Sequence, residues 1–132
     1  MSLINIIDFK SLGDERGSLI ALEGNKDIPF DIKRVYYILG TQAGVARGFH
    51  AHKELQQVAV CITGQCKFIM DDGRDKQEII MSSPTQGIII DKMQWHEMHE
   101  FSDDCVLLVL ASDYYDEADY IRDYKDFTKL VL

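Results

Sequence analysis

Proline and glycine are scarce, at 2 and 9 residues among 132, and no stretch rich in serine, proline and glycine interrupts the chain, so no interdomain linker can be placed. No internal repeat is present. A run of about 20 apolar residues, which a bilayer-spanning helix needs, is missing too. The initial MSLINIIDFK has no basic segment leading into a long apolar one, and the expected location is the cytoplasm. Basic residues are outnumbered: 14 Lys and Arg face 22 Asp and Glu, and the net charge of -8 excludes nonspecific binding to a nucleic-acid backbone. A free nucleotide, which needs only a few local cations, remains a candidate ligand. Cys61, Cys66 and Cys105 are an odd set in apolar surroundings, which argues against a disulfide frame and for reduced, half-buried thiols.

With 46% hydrophobic and 27% charged residues, positions 1–132 are expected to form one domain with its own core. Apolar runs of strand length recur: SLIAL, IKRVYYIL, QVAVCIT, CKFIM, EIIM, GIIID and CVLLVLA. Turn signals separate them at Gly40, Gly64-Gln65, Asp72-Gly73 and Ser83-Pro84. These spacings are too tight for βαβ units and predict an all-β double-sheet roll or barrel. Only DEADYIRDYKDFTKLVL changes character. Tyr120, Tyr124 and Phe127 stand at helical spacing there, predicting a short C-terminal helix or arm. So small an all-β chain must cover its sheet edges, so a homodimer that exchanges or pairs edge strands is expected.

The chemistry concentrates in GVARGFHAHKELQQVAVCITG. Gly44, His50, His52, Gln57 and Gly64 follow the spacing of the first cupin motif, with a glutamine where metal-binding cupins carry a glutamate. Two apart on a strand, His50 and His52 point to the same face. Trp95-His96 resembles the end of the second cupin motif without its usual proline and glycine. Three imidazoles and a carboxamide could hold zinc or iron, but the carboxylate of most such sites is absent, so no metal and no cofactor are expected.

RGFH, at Arg47 to His50, is similar to the R-G-x-H of the dTDP-sugar 3,5-epimerases. The set DERGSL, IPFDIKRVYYI, RGFHAHK, DDG, WHEMHEF and VLASDYYDEADYIRDY, spread over residues 14 to about 124, more closely resembles the dTDP-4-keto-6-deoxyglucose 3,4-ketoisomerases, which are cupins with a double-stranded β-helix, jelly-roll barrel. That resemblance implies an isomerase that moves a keto group from C4 to C3 of a nucleotide-linked 6-deoxysugar in nucleotide-sugar biosynthesis. Its substrate is a small molecule, not a nucleic acid or a membrane. The reaction takes a proton from C3, passes through an enediol and returns a proton to C4.

His50 is the expected base, and His52 is expected to polarise the C4 carbonyl or shuttle the proton. In IKRVYYI only one of Tyr36 and Tyr37 can face inward. Tyr36 is chosen as hydroxyl donor because it shares a face with Arg34 and matches the position the resemblance implicates; Tyr37 stays the alternative. Arg34 and Arg47, with Lys53 from the rim, are the candidates to bind the pyrophosphate. Arg16 and His96 are positions that the resemblance ties to the face of C4 that is reprotonated, and this pair is similar to the type giving the galacto product. Trp95 and His99 are expected to pack or line a rim, and DYYDEADY to be a solvated or interface segment. The competing readings are a metal-dependent cupin oxygenase using His50, His52 and His96, a non-catalytic sugar-nucleotide-binding cupin, and an epimerase acting at C3 or C5.

Overall fold

The computed structural model describes residues 2–132, and among them two five-stranded antiparallel sheets face each other. The first sheet has the order β1 (Ile6–Asp8), β9 (Gln86–Ile90), β6 (Gln57–Thr63), β11 (Val106–Ala111), β4 (Arg34–Ile38). The second runs β12 (Tyr120–Ile121), β5 (Arg47–His52), β10 (Trp95–His99), β7 (Cys66–Asp71), β8 (Lys76–Met81). A separate hairpin, β2 (Leu12–Asp14) with β3 (Gly17–Leu19), pairs with neither sheet. This is the jelly-roll arrangement expected of the sequence, closed by helix α1 (Tyr124–Val131).

The strand sequences follow from which faces are covered. Between the sheets lies the main core: Ala59, Cys61, Ile88, Ile90, Leu107 and Val109 from the first sheet meet Phe68, Met70, Met81 and Met98 from the second. The outer face of the first sheet is also covered, because Val58, Val60 and Leu110 pack against Phe9, Ile28 and Phe30. Strand β6 is therefore apolar on both sides between its polar ends Gln57 and Thr63, and VAVCI reads as an unbroken run. On the second sheet, Ala51, Trp95 and Ile121 are covered by Phe127 of α1. Edge strand β4 alternates instead: Arg34, Tyr36 and Ile38 turn inward while Val35 and Tyr37 lie exposed.

Several expectations change. All three cysteines are fully buried rather than half-buried, and all are free, with Cys61 and Cys105 sulfurs 3.8 Å apart. SLIAL supplies only Ser18 and Leu19 of the three-residue β3; Ile20 and Leu22 instead pack beneath the first sheet. The helix begins at Tyr124, capped by Asp123 accepting from the Lys125 and Asp126 amides, so Tyr120 belongs to a strand. No helix among the described residues is long and apolar enough to cross a membrane.

Candidate active site

A cavity of about 280 Å³ opens between the two sheets. Strand β4 presents Arg34 and Tyr36 to it, β6 presents Gln57, β5 presents Arg47 and His50, and β10 presents His96. The strand alternation that puts Arg34 and Tyr36 inside leaves Tyr37 63% exposed on the other face.

A backbone irregularity aims His50. His96 pairs with His50 but Glu97 pairs with Gly48, so the register shifts and Phe49 is the extra residue. Both bulge residues have left-handed backbones, with φ 92° at Gly48 and 61° at Phe49. Strain of this kind persists only where its surroundings enforce it. The turned backbone brings the Gly48 carbonyl oxygen within 3.0 Å of His50 Nδ1. A carbonyl can only accept, so Nδ1 carries the proton and Nε2 keeps its lone pair. His96 Nδ1 stands 3.3 Å from the Gln94 carbonyl and is fixed in the same way.

Burial keeps these rings neutral. It lowers the His50 pKa below the ordinary imidazole value, that of His52 to about 4 and that of His96 to about 3. Burial also raises the Tyr36 pKa, so its phenol remains protonated. Gln57 Nε2 donates to the Tyr36 hydroxyl at 2.7 Å, which leaves the phenol's own hydrogen free to point elsewhere. Arg34 has Nε and Nη2 buried without a protein partner, so its guanidinium has donors in reserve for an anionic ligand.

The ring nitrogens of His50, His52 and His96 lie within 4.8 Å of one another, near enough to share a cation. The donor set is neutral throughout; the carboxamide at the fourth cupin position gives its Nε2 to Tyr36 and leaves its Oε1 buried without a partner. Three neutral imidazoles can hold zinc, whereas the two-histidine, one-carboxylate sites of non-haem iron oxygenases add an anionic ligand that this cluster lacks.

Not every expected residue joins the cavity. His52 packs edge to face behind His50, ring centroids 5.0 Å apart, and lines a second cavity instead of the wall of the first. This places it directly against His50. Lys53 is exposed outside the cavity. Arg16 sits in the β2–β3 turn with its side chain 86% exposed, gripping Asp14 through both carboxylate oxygens. Trp95 packs against Tyr124 and Phe127 and donates to Glu97, and His99 pairs with Glu97 at 2.8 Å.

DYYDEADY is not purely a solvated segment: its end builds part of the site. A single 3-10 turn at Glu117–Asp119, capped by Asp116, leads into β12, which pairs with β5 beside the histidines. Tyr120 consequently lies 4.4 Å from His52 and 5.0 Å from His50, centroid to centroid, and lines the main cavity with Arg122. The Arg122 guanidinium stacks 4.1 Å over the Tyr120 ring and holds Glu117, which also accepts from the Tyr115 hydroxyl. Helical spacing through Tyr120 hid this strand. The usable signal was the capping pattern, with Asp116 and Asp123 each placed before a turn.

The FdtA, WxcM-like, C-terminal family matches residues 2–132 of this chain. A TDP-4-oxo-6-deoxy-alpha-D-glucose-3,4-oxoisomerase of Aneurinibacillus thermoaerophilus is 58% identical over 126 residues, covering 96% of this chain and 91% of the relative. Among solved structures, a 3,4-ketoisomerase from Helicobacter canadensis superposes with a TM-score of 0.95 at 50% identity, covering 97% of this chain and 96% of the other. A histidine-to-asparagine variant of the 3,4-ketoisomerase of Thermoanaerobacterium thermosaccharolyticum, in complex with TDP-4-keto-6-deoxyglucose, superposes with a TM-score of 0.96 at 42% identity, covering 99% and 95%.

Proposed function

Because the chain belongs to the FdtA, WxcM-like, C-terminal family and is a sugar nucleotide 3,4-ketoisomerase, we propose that it converts TDP-4-keto-6-deoxyglucose to the 3-keto sugar by histidine-mediated proton transfer. The observation that carries the mechanism is the Gly48–His50 contact. It leaves a neutral Nε2 facing the same cavity as a protonated Tyr36. In this reading His50 Nε2 takes the C3 proton, the Tyr36 hydroxyl stabilises the oxygen that becomes an enediolate, and His50 redelivers a proton to C4. Arg34, Arg47 and Arg122 supply the cationic wall that an acidic chain needs to hold a pyrophosphate.

His96, on the cavity wall, and Arg16 are proposed to set the face of C4 that is reprotonated, giving the galacto product. Arg16 lies outside the cavity of its own chain, so this role is joined to a second proposal. The β2–β3 hairpin, exposed along all its strand residues and unpaired with either sheet, is the element a homodimer would exchange. The dimer then brings Arg16 to the neighbouring subunit's site. A cytoplasmic setting accompanies this reading.

Incubation with TDP-4-keto-6-deoxyglucose, followed by proton NMR, tests the whole. A 3-keto product of galacto configuration is expected, formed equally after chelator treatment. His50→Asn is expected to bind the sugar nucleotide and form none. A product altered at C3 or C5 with the 4-keto group retained, or a reaction that starts only on adding metal, overturns the proposal.

A further inference from the structure

Phe49 is a poor residue for the backbone it adopts. A bulky side chain rarely accompanies a left-handed conformation, which glycine or asparagine takes at lower cost, yet φ at Phe49 is 61°. Burial of the ring does not account for this, because Phe49 stays 42% exposed and is absent from the cavity wall. What the ring has is a seat. Its centroid lies 5.5 Å from that of His99, with the two planes at 75°, an edge-to-face contact.

The seat is built on the outer face of β10. His96 and Met98 point inward to the cavity, so Trp95, Glu97 and His99 share the opposite face at two-residue intervals. Glu97 ties the other two together. One of its carboxylate oxygens accepts from the Trp95 indole N–H at 2.9 Å, and the other accepts from His99 Nε2 at 2.8 Å. The indole is itself immobilised, 3% exposed and packed against Tyr124 and Phe127 of α1. A chain of contacts thus runs from the helix through Trp95, Glu97 and His99 to the ring of Phe49, and none of these side chains lines the main cavity.

That chain ends at the atom that selects the His50 tautomer. The carbonyl accepting from His50 Nδ1 belongs to the planar peptide unit that joins Gly48 to Phe49, so rotation about the N–Cα bond of Phe49 swings it. Strand β10 closes the other side of this peptide: Glu97 pairs with Gly48, and a Cβ added at Gly48 would meet the His96 carbonyl and the Glu97 Cα. We propose that Glu97 and His99 are positioning residues for the reaction, seating Phe49 from outside the barrel so that the Gly48 carbonyl keeps the proton on Nδ1 of His50 and the lone pair on Nε2. The inference rests on the ketoisomerase reading, in which that lone pair takes the C3 proton. Without the seat the Phe49 backbone relaxes towards an extended conformation and the Gly48 carbonyl leaves Nδ1. The neutral ring then distributes its proton over both nitrogens.

Three variants and two readouts test this. Phe49→Gly removes the ring at a backbone that glycine suits, His99→Ala removes the seat, and Phe49→Tyr keeps the ring edge. Conversion of TDP-4-keto-6-deoxyglucose gives kcat and KM. Proton–nitrogen NMR of protein carrying isotope-labelled histidine gives the His50 tautomer, assigned by the signal that is missing in His50→Asn. Phe49→Gly and His99→Ala are expected to lower kcat by about tenfold with KM nearly unchanged, the mark of a misoriented group. Both are expected to replace the Nδ1–H signature of His50 by an averaged one, whereas Phe49→Tyr keeps wild-type values in each readout. Wild-type kcat or an unchanged tautomer in either folded variant overturns the proposal, and so do an Nε2–H tautomer in the wild type and a loss in Phe49→Tyr equal to that in Phe49→Gly. If one of the two disabling variants fails to fold, the other decides. The spectrum needs no substrate, so a wild type that makes no 3-keto product counts against the ketoisomerase reading while the histidine signals still judge the seat.

Discussion

Gln57 donates its amide N–H to the hydroxyl of Tyr36 across 2.7 Å, joining the glutamine of the histidine motif to a strand 21 residues earlier in sequence. The bond fixes the phenol's lone pair and turns its hydrogen outward, an arrangement suited to a developing oxyanion. Tyr36→Phe is expected to lower kcat by about 10²–10³-fold, the loss typical of removing one oxyanion donor, while sugar-nucleotide binding changes little. Steady-state kinetics with separate binding titration checks this.

The activity profile depends on His50 staying neutral. Burial depresses its pKa below the ordinary imidazole value, so the base form persists to lower pH than a solvent-exposed histidine would allow. The acid limb of kcat/KM is expected at an apparent pKa below about 6.5. A limb at or above that value would remove His50 as the free-enzyme base.

Stability should follow the other two rings. His52 titrates at about 4 and His96 at about 3 in the folded chain, whereas both take up protons near 6.5 when unfolded. Between those limits the unfolded state binds more protons, so the contribution is complete above about 6.5 and is lost as pH falls through the folded values. Urea midpoints measured downward from neutral pH are expected to fall across this window in the wild type, and less steeply in His96→Gln.

Gly48→Ala addresses the bulge. The added Cβ would come within 2.9 Å of the His96 carbonyl oxygen at a position whose φ is 92°. A loss of about 1–3 kcal/mol from backbone strain is expected. Activity should fall further than stability explains, because the Gly48 carbonyl sets the His50 tautomer. Denaturation midpoints alongside kcat at a temperature where the variant stays folded separate the two effects.

The histidines were legible because strand periodicity and motif spacing both concern neighbours in sequence, and the same holds for Arg34 and Tyr36 on one face of β4. Gln57 was noticed as a missing charge, but its partner 21 residues away could not be read from spacing. The bulge at Gly48 and Phe49 was invisible for another reason: alternation assumes one residue opposite one, whereas here Phe49 is an extra residue against β10. Arg122 and Tyr120 were hidden behind a helical period that happens to run through Tyr120, Tyr124 and Phe127. The anchoring of Asp119 was hidden because it depends on three amides of a distant loop.

The one-residue bulge in β5 also limits how this chain can change over generations. Deleting a residue between Gly48 and His52 would abolish the offset, and adding one would double it; either error rotates at least one imidazole to the opposite side of the strand. Substitutions here are graded in their effects, whereas length changes are all or none. Descendants of this sequence should therefore explore new sugars by exchanging side chains in this segment, and reserve insertions for the turns at the far ends of the strands.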